Sequence, residues 1–246
     1  DTEASRGLGD VYKRQHVDFA NKNILVQYNF FYDNEGYGTE ILGKNENVIW
    51  RHNISVGDGT RRMNVVRPEG GKSQHPGKTI FVSDFSVPKR ELSRDIYIYN
   101  NTYLIAENSD PFFEVNAVNA HLWNNIFVAE SNARLGRKVN FGWKEGPALD
   151  MQGNVFSGTI SENLIHFDKK PVKSDIHFSG ELTSPETFSI ARSVLTEAAA
   201  VMKIEPPTFP AAGQGIFKHV SEVPTVDFFG NHLESDATVA GAGYKL

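Results

Sequence analysis

The sequence predicts an all-β solenoid, a stack of short strands wound into coils, and three observations carry that prediction. The first is a period. Asparagines just before an apolar run recur at Asn29, Asn53, Asn101 and Asn125, in steps of 24, 48 and 24 residues, with a looser copy at Asn154. A fixed period in the twenties is the signature of stacked repeats. The second is alternation within each copy. Ile24 and Val26, Val48 and Trp50, Ile96 and Ile98, and Ala120 and Leu122 fall on one face of a period-two pattern, which marks strand rather than helix. The third is the phase of the asparagine. Stacking puts like residues above like, so the repeated amides are expected to form a ladder, each satisfied by its neighbours above and below.

The elements follow in order. Residues 1–15, with RGLGDVYKRQ at 6–15, fit neither strand nor repeat. They resemble an adapter-derived leader of metagenomic fragments and are set apart from the fold. Residues 17–45 make the first coil, with a further strand at 37–42. The next begins at Asn47. Residues 61–78, with three Gly, two Pro and the cations Arg61, Arg62, Arg67, Lys72 and Lys78, read as a loop inserted on one face; solenoid insertions collect on one side, often the binding side. Strand resumes at 79–85 and again at 95–104 and 111–117. The fourth coil starts at Asn119, and the fifth lies around 149–158. The solenoid is thus expected over 16–180. Beyond it, Ser184 as N-cap, Pro185, and Phe188, Ala191, Leu195, Ala198 and Met202 at helical spacing predict a short cap helix. Residues 205–246 then read as an extended tail packed along the stack.

Composition narrows the class. The chain has 246 residues, a net charge of −5 and no cysteine. The acidic balance argues against a nucleic-acid partner, and the absence of cysteine rules out disulfides and thiolate metal sites. Its apolar runs fall short of the ~18 residues of a membrane span. A monomer is expected.

The stretches VQYNFFYDNEG, NVIWRHNISVGDG, IYIYNNTYLI and HLWNNIFV, with VDFFGN at 226–231 and GAGY at 241–244, resemble the C-terminal portion of bacterial right-handed parallel β-helix proteins of the pectate-lyase-like kind. The resemblance covers about residues 17–160 and the tail. It implies a right-handed β-helix and a secreted, periplasmic or cell-surface carbohydrate-active protein whose partner is a polysaccharide or oligosaccharide.

In a stack, chemistry is expected as a column. Counting between ladder asparagines places Glu40, Asp84 and Glu114 at similar heights on three successive coils. Adjacent coils lie ~4.8 Å apart, and carboxylates that close separate into a proton donor and an ionised group. Paired carboxylates serve glycoside hydrolysis, at ~5–5.5 Å for retention and at wider separation for inversion. FFEVN at 112–116 is similar to the acid-bearing strand of β-helix glycosidases of the β-xylosidase type; that resemblance implies Asp84 as nucleophile and Glu114 as acid/base. The alternative is that the carboxylates simply face solvent. A second column, Gln27, Arg51, Tyr99 and Trp123 with Tyr97 and His121 alongside, suits stacking on sugar rings and, through Arg51, a uronate, or else packs beneath the tail or helix. Arg61, on the inserted loop, joins it as a candidate substrate contact. Asp33, Asn34, Glu35 and Asp58 form oxygen-rich corners that could hold Ca²⁺, although such residues are also ordinary in turns. No cofactor is otherwise expected, and His52 reads as a packed histidine. Three functions fit this reading: a glycoside hydrolase, a polysaccharide lyase using Arg or Lys with Ca²⁺, and a non-catalytic carbohydrate-binding or surface protein.

Overall fold

A computed structural model describes residues 16–64, 66, 72, 75–141, 149–178, 182–185, 188, 205, 207–233 and 240–243. The strands come in threes. The first coil holds β1 (His16–Val17), β2 (Lys22–Gln27) and β3 (Phe30–Tyr32). The second holds β4 (Tyr37–Ile41), β5 (Glu46–Arg51) and β6 (Ile54–Val56). The third holds β7 (Lys78–Val82), β8 (Ser93–Tyr99) and β9 (Thr102–Leu104). The fourth holds β10 (Phe112–Val115), β11 (Ala117–Trp123) and β12 (Ile126–Ala129). The fifth holds β13 (Val139–Asn140), β14 (Leu149–Gln152) and β15 (Val155–Gly158). A one-turn helix α1 (Glu162–Ile165), the short β16 (Val172–Lys173) and a 3₁₀ turn at Gly215–Phe217 follow.

Strands of the same rank pair across coils, all in parallel. Sheet A runs β1-β4-β7-β10-β13, sheet B runs β2-β5-β8-β11-β14, and sheet C runs β3-β6-β9-β12-β15-β16. This is a three-faced parallel β-helix. Among the described residues no helix is long and apolar enough to cross a membrane. The cap helix expected after Ser184 falls almost wholly outside the described residues.

The 24-residue register is kept strand by strand. Ile24, Val48, Ile96, Ala120 and Leu149 stack in one column, and Val26, Trp50, Ile98, Leu122 and Met151 in the next. Both point into the core. Sheet C adds a ring column, with Tyr103 and Phe127 stacked at 5.1 Å and Phe127 and Phe156 at 5.7 Å. The Tyr103 hydroxyl meets the Thr39 hydroxyl at 2.8 Å, satisfying a polar group that is otherwise fully enclosed.

The expected asparagine ladder sits at the turn between sheets B and C. The backbone N–H and side-chain amide of Asn29 donate to Asn53 Oδ1 at 3.0 and 2.9 Å. Asn53 repeats this onto Asn101, Asn101 onto Asn125, and Asn125 onto Asn154. The residue before each ladder asparagine takes a left-handed conformation: Tyr28, His52, Asn100, Asn124 and Gly153 have φ between 49° and 66°. That costs energy for a bulky residue. Backbone and amide bonds made by the following asparagine hold the turn. The ladder ends on Asp168, whose Oδ2 accepts from the backbone and side-chain amides of Asn154 at 3.0 and 2.6 Å and whose Oδ1 accepts from Gly153 and Lys170. Burial raises the Asp168 pKa more than these donors lower it.

The C-terminal residues cover two of the three outer faces. Phe30, Ile54, Ile126 and Val155 of sheet C pack against Phe188, Ala240 and Ala242. Gly241 lies so close that a Cβ there would come within 2.5 Å of Ile126 and 2.7 Å of Thr102 Oγ1. The VDFFGN motif is a turn closed on Asp227, whose carboxylate accepts from the Phe229 and Asn231 backbones and the Asn231 side chain. Over sheet B, Phe209 packs on Ile49 and Tyr99, with Ala211, Ala212, Phe217 and Val220 beside it.

Candidate functional site on the outer face of sheet A

Period-two alternation divides the residues of sheet A. Thr39, Ile41, Ile80, Val82, Phe113 and Val115 are enclosed. Their neighbours Glu40, Phe81 and Glu114 face outward in one row, which the register extends to His16 on one side and Asn140 on the other. Glu40 and Glu114 are therefore two rungs apart, roughly 10 Å at ~4.8 Å per rung.

Phe81 and Lys78 fill the space between them. The Tyr37 and Phe81 rings stack at 4.9 Å, and the Lys78 ammonium sits 3.2 Å from the Phe81 centroid and 2.8 Å from Glu114 Oε2. A register shift opens β10 against β7, with Phe112 opposite Lys78 and Phe113 opposite Ile80. Such irregularities re-aim side chains; here the shift lies at the strand start that presents Lys78. At the far end of the row, His16 Nδ1 lies 2.8 Å from Glu40 Oε2, and Asp18 approaches Nε2 at 3.6 Å.

The inserted loop closes onto this row. Gly77 N–H donates to Arg61 O, and a Cβ on Gly77 would strike the Gly59 carbonyl. Only glycine lets the two ends of the loop approach so closely. Arg61 is thereby held with its guanidinium 5.3 Å from the Tyr37 ring centroid. Arg61, Arg62, Gly77, Phe112 and Lys138 line part of a cleft of about 470 Å³ beside Lys78, within the size range of small-molecule sites.

The electrostatics of the row are uneven. Burial alone would lower the His16 pKa, but the hydrogen bond and charge of Glu40, with Asp18 behind, outweigh it and raise the pKa above its usual value. Lys78 goes the other way: burial pushes its ammonium down, and the pull of Glu114 and Glu40 does not fully restore it. Burial also raises the Tyr37 phenol.

Several sequence expectations need correction. Asp84 does not share the row. The outward residue at that height on the third coil is Phe81, and Asp84 lies beyond β7 in the turn to sheet B, bound to Arg90 at 2.7 Å. Counting back from the ladder failed because this coil spends residues 83–92 on that turn, where the coil below spends only 42–45. Arg51 and Tyr99 are not on an open flank. Each is 1% exposed; Arg51 donates to Gln27 and to the Tyr99 hydroxyl, and Phe209 covers the tyrosine. His121 and Trp123 are half-buried on sheet B. The His121 ring faces Tyr97 at 4.8 Å, nearly parallel, and Trp123 donates to Asp150 at 2.9 Å. Rings stacked along the coil axis spend their faces on each other, which leaves little for a sugar. Arg61 is the expected substrate contact that reaches sheet A. Asp58, a suggested Ca²⁺ ligand, is buried with one oxygen on Asn34 and the other on Ser55. Among the described residues no group of three or more acidic or histidine side chains is arranged to hold a metal.

Three members of the row escaped sequence reasoning. His16 adjoins the segment set apart as a leader, Lys78 was one cation among five in a loop, and Phe81 looked like one more apolar strand residue. The one available signal was Lys78 itself, at the loop's end and directly before an alternating strand.

No family model and no curated protein matches this chain.

Proposed function

We propose that this chain is a secreted carbohydrate-active protein on a right-handed parallel β-helix of the pectate-lyase-like type, and that the outer face of sheet A hydrolyses glycosidic bonds in a polysaccharide or oligosaccharide. The supporting observation is the row Glu40–Phe81–Glu114. Two carboxylates on strands two rungs apart, roughly 10 Å at ~4.8 Å per rung, lie nearer the wide spacing of an inverting glycosidase than the ~5–5.5 Å of a retaining one. This replaces the Asp84–Glu114 pairing with Glu40–Glu114. Phe81 and Tyr37 supply an apolar floor, and Arg61 with the adjoining cleft supplies polar contacts to the chain of sugars. The test is a polysaccharide panel scored for new reducing ends, with the anomer of the first-formed product read by NMR. Inversion is expected, and Glu40→Gln and Glu114→Gln should each lower kcat at least ~10²-fold. Retention, or full activity in both variants, would remove the pair.

A polysaccharide lyase is the second reading, favoured by the burial-lowered Lys78 ammonium beside Arg61. A base and a guanidinium are what proton abstraction next to a uronate carboxylate needs. Its signature would be an unsaturated, ultraviolet-absorbing product, together with loss of activity on chelation if Ca²⁺ serves to neutralise the uronate.

A further inference from the structure

The C-terminal residues hold to the stack in two different ways. Near sheet C they are bonded to it: Gly241 N–H donates to Asn124 O at 2.8 Å, Ala242 N–H to Thr102 Oγ1 at 3.0 Å, and the Tyr28 hydroxyl to Val226 O at 2.9 Å. Over sheet B, residues 209–222 close on themselves, with Phe209 N–H donating to Glu222 O at 3.2 Å and Gly213 N–H to Phe217 O at 3.0 Å. This is an Ω-loop, a compact segment whose ends meet. Among the described residues no hydrogen bond or ion pair joins it to sheet B. It rests there on apolar contacts, with Phe209 seated on Ile49 and Tyr99 and fully buried. A segment held by few buried contacts and no anchoring bonds opens at low cost.

Beside that seat lies a cation without an anion. The register sets Arg51 next to Tyr99, two residues along the same face from Ile49. Arg51 is 1% exposed, and a guanidinium carries five N–H donors. Its two hydrogen bonds go to neutral oxygens, Gln27 Oε1 at 2.9 Å and the Tyr99 hydroxyl at 3.2 Å. Among the described residues it meets no carboxylate. Asp227, whose charge acts on the neighbouring Tyr28, is bonded to Phe229 and Asn231. Enclosing a charge without a counter-charge is costly.

We propose that the outer face of sheet B is a binding site for a small aromatic carboxylate, covered by the 209–222 loop as a lid, with Phe209 in the seat of the ligand's ring and Arg51 as the partner of its carboxylate. When the lid lifts, the ring takes the place of Phe209 on Ile49 and Tyr99. The carboxylate takes N–H groups that Gln27 and Tyr99 leave over on Arg51, a charge-assisted contact. One rung and two residues separate these groups, roughly 5–7 Å, the span of a ring with a short acidic arm. The ring alone gains only what Phe209 already gains. The charge is what lets the ligand displace the lid, and an acid without a ring has no seat.

The experiment is a binding titration of phenylacetate, phenylacetamide and acetate into the wild-type chain, Phe209→Ala and Arg51→Gln, followed by NMR. It involves no turnover and so stands apart from the hydrolysis proposed for sheet A. Phenylacetate should bind the wild-type chain, and Phe209→Ala at least ~10-fold more tightly, because the closed lid no longer competes. Phenylacetamide and acetate should each bind at least ~10-fold more weakly than phenylacetate, one lacking the charge and the other the ring. In Arg51→Gln the preference for the acid over the amide should vanish. No binding of phenylacetate, equal binding of the amide, or no gain in Phe209→Ala would overturn the site, and a preference kept in Arg51→Gln would overturn Arg51 as the partner. Hydrogen exchange of the wild-type chain reads the lid without any variant. Phenylacetate, and not phenylacetamide, should speed exchange of the 209–222 amides, and unchanged exchange would overturn the lid.

Discussion

Sheets B and C turn their outer faces to the chain's own C-terminal residues, whereas sheet A turns outward a row of ionised and aromatic groups. On B and C the outward columns are Ile49 and Tyr99 under Phe209, and Ile54 and Ile126 under Ala240 and Ala242. Burial of these apolar groups stabilises the fold. On A, Lys78, Glu40 and Glu114 are drawn out of water, which costs free energy that ion pairing recovers only in part. The comparison separates what holds the coil together from what it is built to present. Perturbed groups of this kind gather at functional sites.

The sharpest way to break the scaffold side is Asn101→Ala. It strips the acceptor from both donors of Asn53 and the donors from Trp50 O and Tyr99 O. At ~1–3 kcal/mol for each buried group left unpaired, urea unfolding should show a loss of at least about 4 kcal/mol, or no folded protein. Phe209→Ala comes next, at about 3 kcal/mol for a buried ring. Because Phe209 serves sheet B, the glycan cleavage proposed for sheet A should be unchanged in the folded fraction, and a selective loss of turnover would show that the faces are coupled.

His52 offers a pH test of the same side. It is buried between the Tyr28 and Tyr99 rings, and burial, with Arg51 adding to it, lowers its pKa to about 3. A folded-state pKa below the unfolded ~6.5 means that protons favour the unfolded chain. The stability is complete above about pH 6.5 and is lost as pH falls towards 3, on the order of a few kcal/mol. His52→Phe should flatten that slope in thermal melts between pH 7 and 4.

On sheet A the expectation is different in kind. Lys78→Met alone should cost about 2 kcal/mol, by leaving Glu114 without its cation, while Lys78→Met with Glu114→Met should recover most of it. A double-variant cycle that shows simple additivity would count against a coupled pair. The smallest effect is expected for Trp123→Phe, which forfeits one hydrogen bond to Asp150 at about 1 kcal/mol in chemical denaturation.

The scaffold was legible because its rules are local and repeat. Alternation is fixed by the strand, and the 24-residue step by the ladder, so Ile24, Val48, Ile96 and Ala120 could be stacked from the sequence alone. The row on sheet A was not legible in the same way. Which residue of the third coil faces outward beside Glu114 depends on how many residues the turns on either side consume. Moving the extra residues past β7 replaces Asp84 with Phe81. The burial of Arg51 and Tyr99 depended on a tail more than 80 residues away in sequence, which no repeat announces. Asp168 sits off the period and so carries no phase to count.

The asparagine ladder has a direction. Every rung donates towards the C-terminal end of the stack, and Asn53, Asn101, Asn125 and Asn154 accept from the rung before. Five amide dipoles are thereby aligned head to tail outside any helix, with their positive ends pointing at Asp168. Aligned peptide dipoles in a helix favour an anion at their donor end. The column is in that sense a battery assembled from side chains, and the Asp168 carboxyl accepts from its last donor.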